Sequence, residues 1–127
     1  MGATAGTRRR GGRIRTKRVY EAPAAGDGRR ILVDRLWPRG LSREGADIDE
    51  WARDVAPSTE LRRWYGHDPA KWDEFRRRYH AELRANPQAL AALREAMGRG
   101  TVTLLFGAKE EERNNAVALR EFLERKG

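Results

Sequence analysis

Apolar and polar positions divide the chain into short segments from about residue 13 onward. Residues 14–20 set apolar side chains between charged ones, which predicts a first strand with one face partly exposed to water. Residues 21–28, with a proline and two glycines, predict a loop. Three consecutive apolar residues at 31–33 then predict a second strand, which ends in a charged loop.

Between residues 41 and 66, the pattern of apolar and polar residues predicts only short elements. Residues 41–46 predict a short helical turn, and residues 48–55 fit a short strand and a helix equally well, with Trp51 expected to be buried. Ser58 is a candidate N-cap for a helix that ends near Gly66.

Two dipeptides that end in proline, Asp68-Pro69 and Asn86-Pro87, predict the starts of the longer helices. Asp68 and Asn86 each precede a proline, and proline is favoured at the first helical position because its missing N–H would be unpaired there. Behind Asp68, apolar residues recur at spacings of three and four, which predicts a buried face rather than a cofactor site. This row consists of Trp72, Phe75, Tyr79 and Leu83. His80, one position after Tyr79, falls outside this row and is expected on the helix surface.

The last third of the chain predicts one more helix, a buried strand and a closing helix. The helix behind Asn86 should end at Gly98 or Gly100, and residues 101–106 are almost continuously apolar, as in a strand covered on both faces. Asn114 or Asn115 can cap the final helix. This order of elements predicts a single small α/β domain over residues 13–127, in which a short, mostly parallel sheet is packed by helices.

The basic charge of the chain is concentrated at its N-terminus. The formal net charge is +8, and the first twenty residues hold seven Lys and Arg and no acid. The other 107 residues are nearly balanced, with 20 basic and 19 acidic side chains. Residues 1–12 have the composition of a disordered basic tail. Such a tail could contact nucleic acid weakly through phosphates, or it could be a solvated extension without a role, since it has no aromatic residues to stack on bases.

Composition also excludes several classes of protein. The chain has no cysteine, so a thiolate nucleophile, a disulfide framework and a Cys-ligated metal are excluded. No apolar run approaches the roughly 20 residues of a membrane span, and no apolar segment follows the basic N-terminus as in a secretory signal. We therefore expect a cytoplasmic protein without membrane contact.

The candidate site lies where strands give way to loops. In open α/β sheets, ligands bind beyond the carboxyl ends of the strands, so the loops 34–40 and 107–115 would share one edge if their strands were parallel neighbours. Across that cleft, Asp34, Arg35, Trp37 and Arg39 would face Lys109 and Asn115. Asp34 and Arg35 could equally form an ion pair at the strand end. Arg39 beside Gly40 suits a carboxylate or phosphate, whereas packing is favoured for Trp37.

A second group of candidates lies around the predicted N-cap. Ser58 with Arg62, one turn later, could surround an anion, although Ser58 is more typical of a cap than of a nucleophile. His67 is the best candidate for a general acid or base, with Asp34 as the other group that could handle a proton; a structural role in its loop is the alternative for His67. His67 and Asp68 alone do not form a metal site.

Many ordered blocks of residues, spread over about residues 13–125, resemble the YeaO-like family, domain of unknown function 488. They are Val33-Asp34-Arg35-Leu36-Trp37-Pro38-Arg39-Gly40, Trp51, Ala56-Pro57-Ser58, Leu61-Arg62, Trp64, His67-Asp68-Pro69, Trp72, Phe75, Tyr79, Glu82-Leu83, Gly107-Ala108-Lys109 and Asn115. The resemblance implies an intracellular α/β domain of bacteria and archaea with no established reaction.

Two classes of function remain open. The domain could bind or act on a small anionic or nucleotide-like ligand, with Arg35, Arg39 and Arg62 holding charge. Alternatively, it could be a non-catalytic interaction or regulatory module, with Trp37, Trp64 and Tyr65 forming an interface patch. The residue pattern identifies no cofactor, substrate or oligomeric state.

Overall fold

A computed structural model describes residues 13–126, apart from the side chain of Lys126. Its centre is a four-stranded sheet in the order β1-β4-β2-β3, in which every pair of neighbours is parallel. The strands are β1 (Ile14–Arg18), β2 (Arg29–Leu32), β3 (Glu50–Trp51) and β4 (Val102–Phe106). The α/β class and the parallel sheet expected from the sequence are confirmed. The predicted basic tail, residues 1–12, lies outside the described residues.

The helices lie between the strands and after the last one. They are α1 (Arg43–Ala46), α2 (Thr59–Tyr65), α3 (Trp72–Arg84), α4 (Pro87–Met97) and α5 (Asn115–Lys126), with short 3-10 turns at Ala25–Asp27, Arg53–Val55 and Pro69–Lys71. The ambiguous segment 48–55 is thus a two-residue strand followed by a 3-10 turn. In the part of the chain that the structure describes, no helix is long and apolar enough to cross a membrane.

The predicted caps form as side-chain hydrogen bonds. The oxygen of Ser58 accepts from the Leu61 N–H at the start of α2, and that of Asn86 accepts from Ala89 at the start of α4. Asp68 caps the 3-10 turn that leads into α3, and Asn114 accepts from the Val117 N–H at the start of α5. Because each oxygen satisfies an N–H that the helix itself leaves unpaired, these four residues fix where the helices begin.

The longer helices, α2 to α5, cover one face of the sheet. Ile31, Val33, Leu104 and Phe106 point into this side and pack against the helices, including the predicted row of α3. All five residues of β4 are buried, which confirms a strand covered on both faces. The second face has a thinner cover, where Val19, Leu32, Leu105 and Ala46 form a small separate cluster. Partly buried Trp37 and Trp51 pack against that cluster.

The expectation that His80 lies on the helix surface is wrong. Its side chain is buried, its Nε2 donates to the Ala118 carbonyl at 2.8 Å, and its ring packs 5.3 Å from Phe122. The cause is α5, which packs across a second side of α3. Apolar periodicity identified only the face of α3 that meets the main core.

A charged cluster on the second face was not foreseen from the sequence. Asp27 is almost fully buried and accepts from both Lys17 and Arg30, the latter also buried. Arg30 donates further to the carbonyls of Asp47 and Ala46, so its guanidinium is well satisfied. This cluster holds the turn before β2 against the sheet.

We predict that Asp27→Asn destabilises the domain by about 3–5 kcal/mol, because it leaves the buried Arg30 charge without its partner. Urea unfolding at neutral pH measures the loss. Burial acts to raise the pKa of Asp27, but hydrogen bonds from the Ala24 N–H, Lys17 and Arg30 outweigh it, so that the pKa is lowered. The stabilisation is therefore present above the usual carboxyl pKa and is lost as the pH falls through the lowered value. Asp54→Asn, which changes an exposed carboxylate, is the matched control; equal losses in both variants would contradict the prediction.

Candidate functional site

A cavity of about 230 Å³ opens at the carboxyl edge of the sheet. It lies beyond β2 and β4, which are parallel neighbours, so the loops that follow them open on the same edge, as the sequence led us to expect. Asp34, Arg35 and Trp37 from the first loop line one side, and Asn115 lines the other. Arg62 of α2 and His67, just after α2, complete the polar part of the wall.

Asp34 joins the two sides of this cavity. Its Oδ2 accepts from the Gly107 N–H at 2.8 Å, and its Oδ1 accepts from the Asn115 side-chain amide at 3.0 Å. The same amide donates to the Val33 carbonyl at 3.1 Å, which fixes its orientation. The Trp51 indole N–H donates to the Asp34 carbonyl at 2.8 Å. One residue therefore connects the end of β2 to the end of β4, to the first residue of α5 and to β3.

The Asp34 carboxylate is held by neutral groups, and this affects its acidity. Burial raises its pKa, because a charge is less stable away from water. The hydrogen bonds from Asn115 and Gly107 and the electrostatic interactions with Arg62 and His67 oppose the rise without cancelling it. No described side chain forms an ion pair with Asp34, so the alternative of a strand-end ion pair with Arg35 is absent from this structure.

The two arginines of the cavity differ in what they contact. The Arg35 guanidinium donates to the carbonyls of Pro57 at 3.2 Å and Ala56 at 3.1 Å, and so holds the segment before α2. The Arg62 guanidinium has no hydrogen bond or ion pair with another described residue, and it is exposed at the cavity wall. Of the two arginines, Arg62 is therefore the one whose whole guanidinium is without a partner among the described residues.

Three of the candidate ligand-binding residues lie outside the cavity lining. The Ser58 hydroxyl donates to Glu82 Oε2 at 2.6 Å while it caps α2, so both of its hydrogen-bonding functions are in use. Arg39 is exposed, and its carbonyl accepts from the Tyr20 hydroxyl. Lys109 is also exposed. The expected group of Ser58 with Arg62 is not assembled, because Ser58 faces α3 whereas Arg62 faces the cavity.

His67 lies at the mouth of the cavity in a left-handed backbone conformation. Its φ is 60°, and its ring centre is 6.0 Å from that of Tyr65. Asp68 is occupied as a cap. Within residues 13–126, no group of three or more His, Asp or Glu side chains is placed to hold a metal ion.

The apolar wall was not identified from the sequence. Tyr65 and Phe75 line the cavity and stack on each other with ring centres 4.3 Å apart and planes inclined by 21°. Tyr65 is buried, and its hydroxyl donates to the Arg113 carbonyl, so it does not belong to an exposed interface patch. Trp37 both packs and lines the cavity: its ring meets Trp51 edge-on at 5.3 Å. Phe75 belongs to the predicted core row, and periodicity cannot show that the end of such a row borders a cavity.

Fold and site together define a small parallel α/β domain with a partly apolar cavity at the carboxyl ends of its central strands. The chain belongs to the YeaO-like family, domain of unknown function 488: the family model described as the inactive DUF488-N3 subclade matches residues 13–126. Among its relatives is the uncharacterised protein Rv3073c of Mycobacterium tuberculosis, 44% identical over 111 residues that cover 87% of this chain and 93% of that protein. Another is the uncharacterised protein YeaO of Escherichia coli, 40% identical over 110 residues that cover 87% and 96% of the two chains. No solved structure matches the chain.

Gly107→Ala should weaken the connection across the cavity. A Cβ at this position would lie 3.1 Å from Asp34 Oδ2, so the carboxylate or the loop must shift by a few tenths of an ångström, and we expect this shift to weaken the hydrogen bond from the Gly107 N–H. We expect a loss of about 1 kcal/mol in the free energy of unfolding, typical of one weakened hydrogen bond. Gly100→Ala, where an added Cβ meets nothing within 4 Å, is the control. An unchanged urea midpoint in Gly107→Ala would contradict the close approach.

Asp34→Asn should change how stability depends on pH. The raised pKa of Asp34 means that the folded state holds this proton more tightly than the unfolded state. Relative to the variant, the stability of the native protein should therefore fall as the pH rises from the usual carboxyl pKa through the raised value. The variant also places an amide NH₂ opposite an N–H donor, at a cost of about 1–3 kcal/mol. Urea unfolding of both proteins between pH 3 and 8 measures the difference, and parallel curves would be the contrary result.

Proposed function

We propose that the domain binds a small molecule that carries an anionic group, in the cavity beside Asp34, and does not convert it chemically. The observation that carries this proposal is the Arg62 guanidinium, which lines the cavity without a hydrogen bond or ion pair to any other described residue. An arginine fork without a partner suits a carboxylate or a phosphate, to which it can donate two parallel hydrogen bonds.

The rest of the wall supports a ligand that is apolar or planar beyond its charged group. Trp37, Tyr65 and Phe75 offer aromatic surface, and Ala56 and Pro57 add aliphatic surface. A cavity of about 230 Å³ lies below the roughly 300–1,000 Å³ typical of pockets for drug-sized ligands. The volume therefore favours a molecule smaller than a complete nucleotide, or one part of a nucleotide-like molecule.

The arrangement of polar groups favours binding over catalysis. The Ser58 hydroxyl is engaged by Glu82, and the His67 ring makes no hydrogen bond to a described nucleophile. Both oxygens of Asp34 already accept hydrogen bonds that hold the walls together. The description of the matched family as an inactive subclade agrees with this reading.

An interaction module that uses a basic tail has less support in the described residues. Trp64, one member of the suggested patch, contacts the charged groups of Arg78 and Lys71, which lie 4.3 Å and 5.0 Å from its ring centre. Tyr65 is buried. Weak nucleic-acid contact through residues 1–12 stays a prediction, since these residues lie outside the described structure.

Arg62→Ala should weaken ligand binding without unfolding the domain, because this exposed side chain holds no other described residue in place. Thermal-shift measurements against small carboxylates, phosphate esters and nucleoside monophosphates identify a binder, and calorimetry then compares the variants. We expect affinity to fall at least about tenfold, as for the loss of a charged hydrogen bond. Arg63→Ala is the matched control, since Arg63 is exposed on the same helix and lies outside the cavity lining. An equal loss in both variants, or no binder at all, would overturn the proposed function.

A further inference from the structure

We infer that the ligand of this cavity is a small zwitterion, in which an ammonium group meets Asp34, a carboxylate meets Arg62, and an apolar side group packs on the aromatic wall. An apolar or aromatic α-amino acid has this chemistry. The inference rests on the proposed function and adds to it a requirement for a positive pole on the ligand.

The Asp34 carboxylate has unused acceptor positions and no ion-pair partner among the described residues. Its two oxygens accept one hydrogen bond each, from Gly107 and Asn115, and both donors are neutral. A carboxylate has about four acceptor positions, so capacity remains, and Asp34 lines the cavity. Its charge is not matched by any described ion pair. A purely anionic ligand would meet this charge as a repulsion, whereas an ammonium group would neutralise it.

The charges of Asp34 and Arg62 are separate from each other in the cavity wall. Asp34 and Arg62 both line the cavity, but they form no ion pair with each other in the described structure. Asp34 cannot easily move toward Arg62, because its anchors connect β2, β4 and α5. The cavity therefore presents a fixed negative pole and a separate positive pole, and a ligand with complementary poles can satisfy both at once.

The cavity also offers aromatic surface and a limited volume to a ligand. The stacked rings of Tyr65 and Phe75 and the indole of Trp37 line the same cavity of about 230 Å³. This volume is suited to a molecule of amino-acid size rather than to a larger metabolite. Burial of an apolar side group against these rings would contribute affinity that is independent of charge.

The test compares three probes that differ only in their poles, using the full chain and isothermal titration calorimetry at neutral pH. L-Phenylalanine has both poles, 3-phenylpropionate has only the carboxylate, and phenethylamine has only the ammonium group. We expect L-phenylalanine to bind at least about tenfold more tightly than either of the others, since each lacks one charged hydrogen-bonding partner. Equal or tighter binding of 3-phenylpropionate would overturn the zwitterion and leave the proposed anion site in place.

The variants separate the two poles. Asp34→Asn should lower the affinity for L-phenylalanine at least about tenfold and leave that for 3-phenylpropionate unchanged or higher. Arg62→Ala should weaken both carboxylates and leave phenethylamine unchanged, and Arg63→Ala should change none of the three. Circular dichroism verifies folding, and the Arg62 series tests the proposal even if Asp34→Asn fails to fold. If none of the three probes binds while another anion binds through Arg62, only the zwitterion is overturned. If nothing binds through Arg62, both proposals are.

Discussion

The hydrogen bonds of the Asp34 carboxylate are the constraint on which the site depends. Through the Gly107 N–H and the Asn115 amide, they connect the ends of two neighbouring strands to the beginning of α5. A cavity between loops is defined only when the loops are held at a fixed separation, and here one side chain holds both. Both anchors are neutral, so neither of them forms an ion pair with the carboxylate. The same carboxylate therefore connects the two loops and lines the cavity between them.

On the second face of the sheet, a buried carboxylate is held by cations rather than by neutral groups. Asp27 is also a buried carboxylate that holds a turn against the sheet, but two cations, Lys17 and Arg30, compensate its charge. Its surroundings lower its pKa, whereas those of Asp34 raise it. The ion pairs of Asp27 hold a turn in place, and Asp27 does not line the cavity. This contrast is the reason why we propose a binding role for Asp34 and assign only a structural role to Asp27.

The arginines also differ in whether their guanidinium groups have partners within the protein. Arg35 donates from Nε and Nη2 to two backbone carbonyls, and Arg30 is enclosed in the buried cluster, so both side chains hold parts of the fold in place. Arg62 faces the cavity from α2 without such partners among the described residues.

Local chemistry in the sequence determined the α/β class, the buried β4, the capped starts of α2 and α4, and the strand-end loops that border the site. Each depends on neighbours in the chain: apolar runs, Asx-Pro pairs and periodic spacing. Only the tertiary structure decided that Arg62 lines the cavity while Arg39, Ser58 and Lys109 do not, and that α5 buries His80. These outcomes depend on which faces of α2, α3 and α5 meet across the sheet. Such contacts join residues distant in sequence, and no local pattern encodes their geometry.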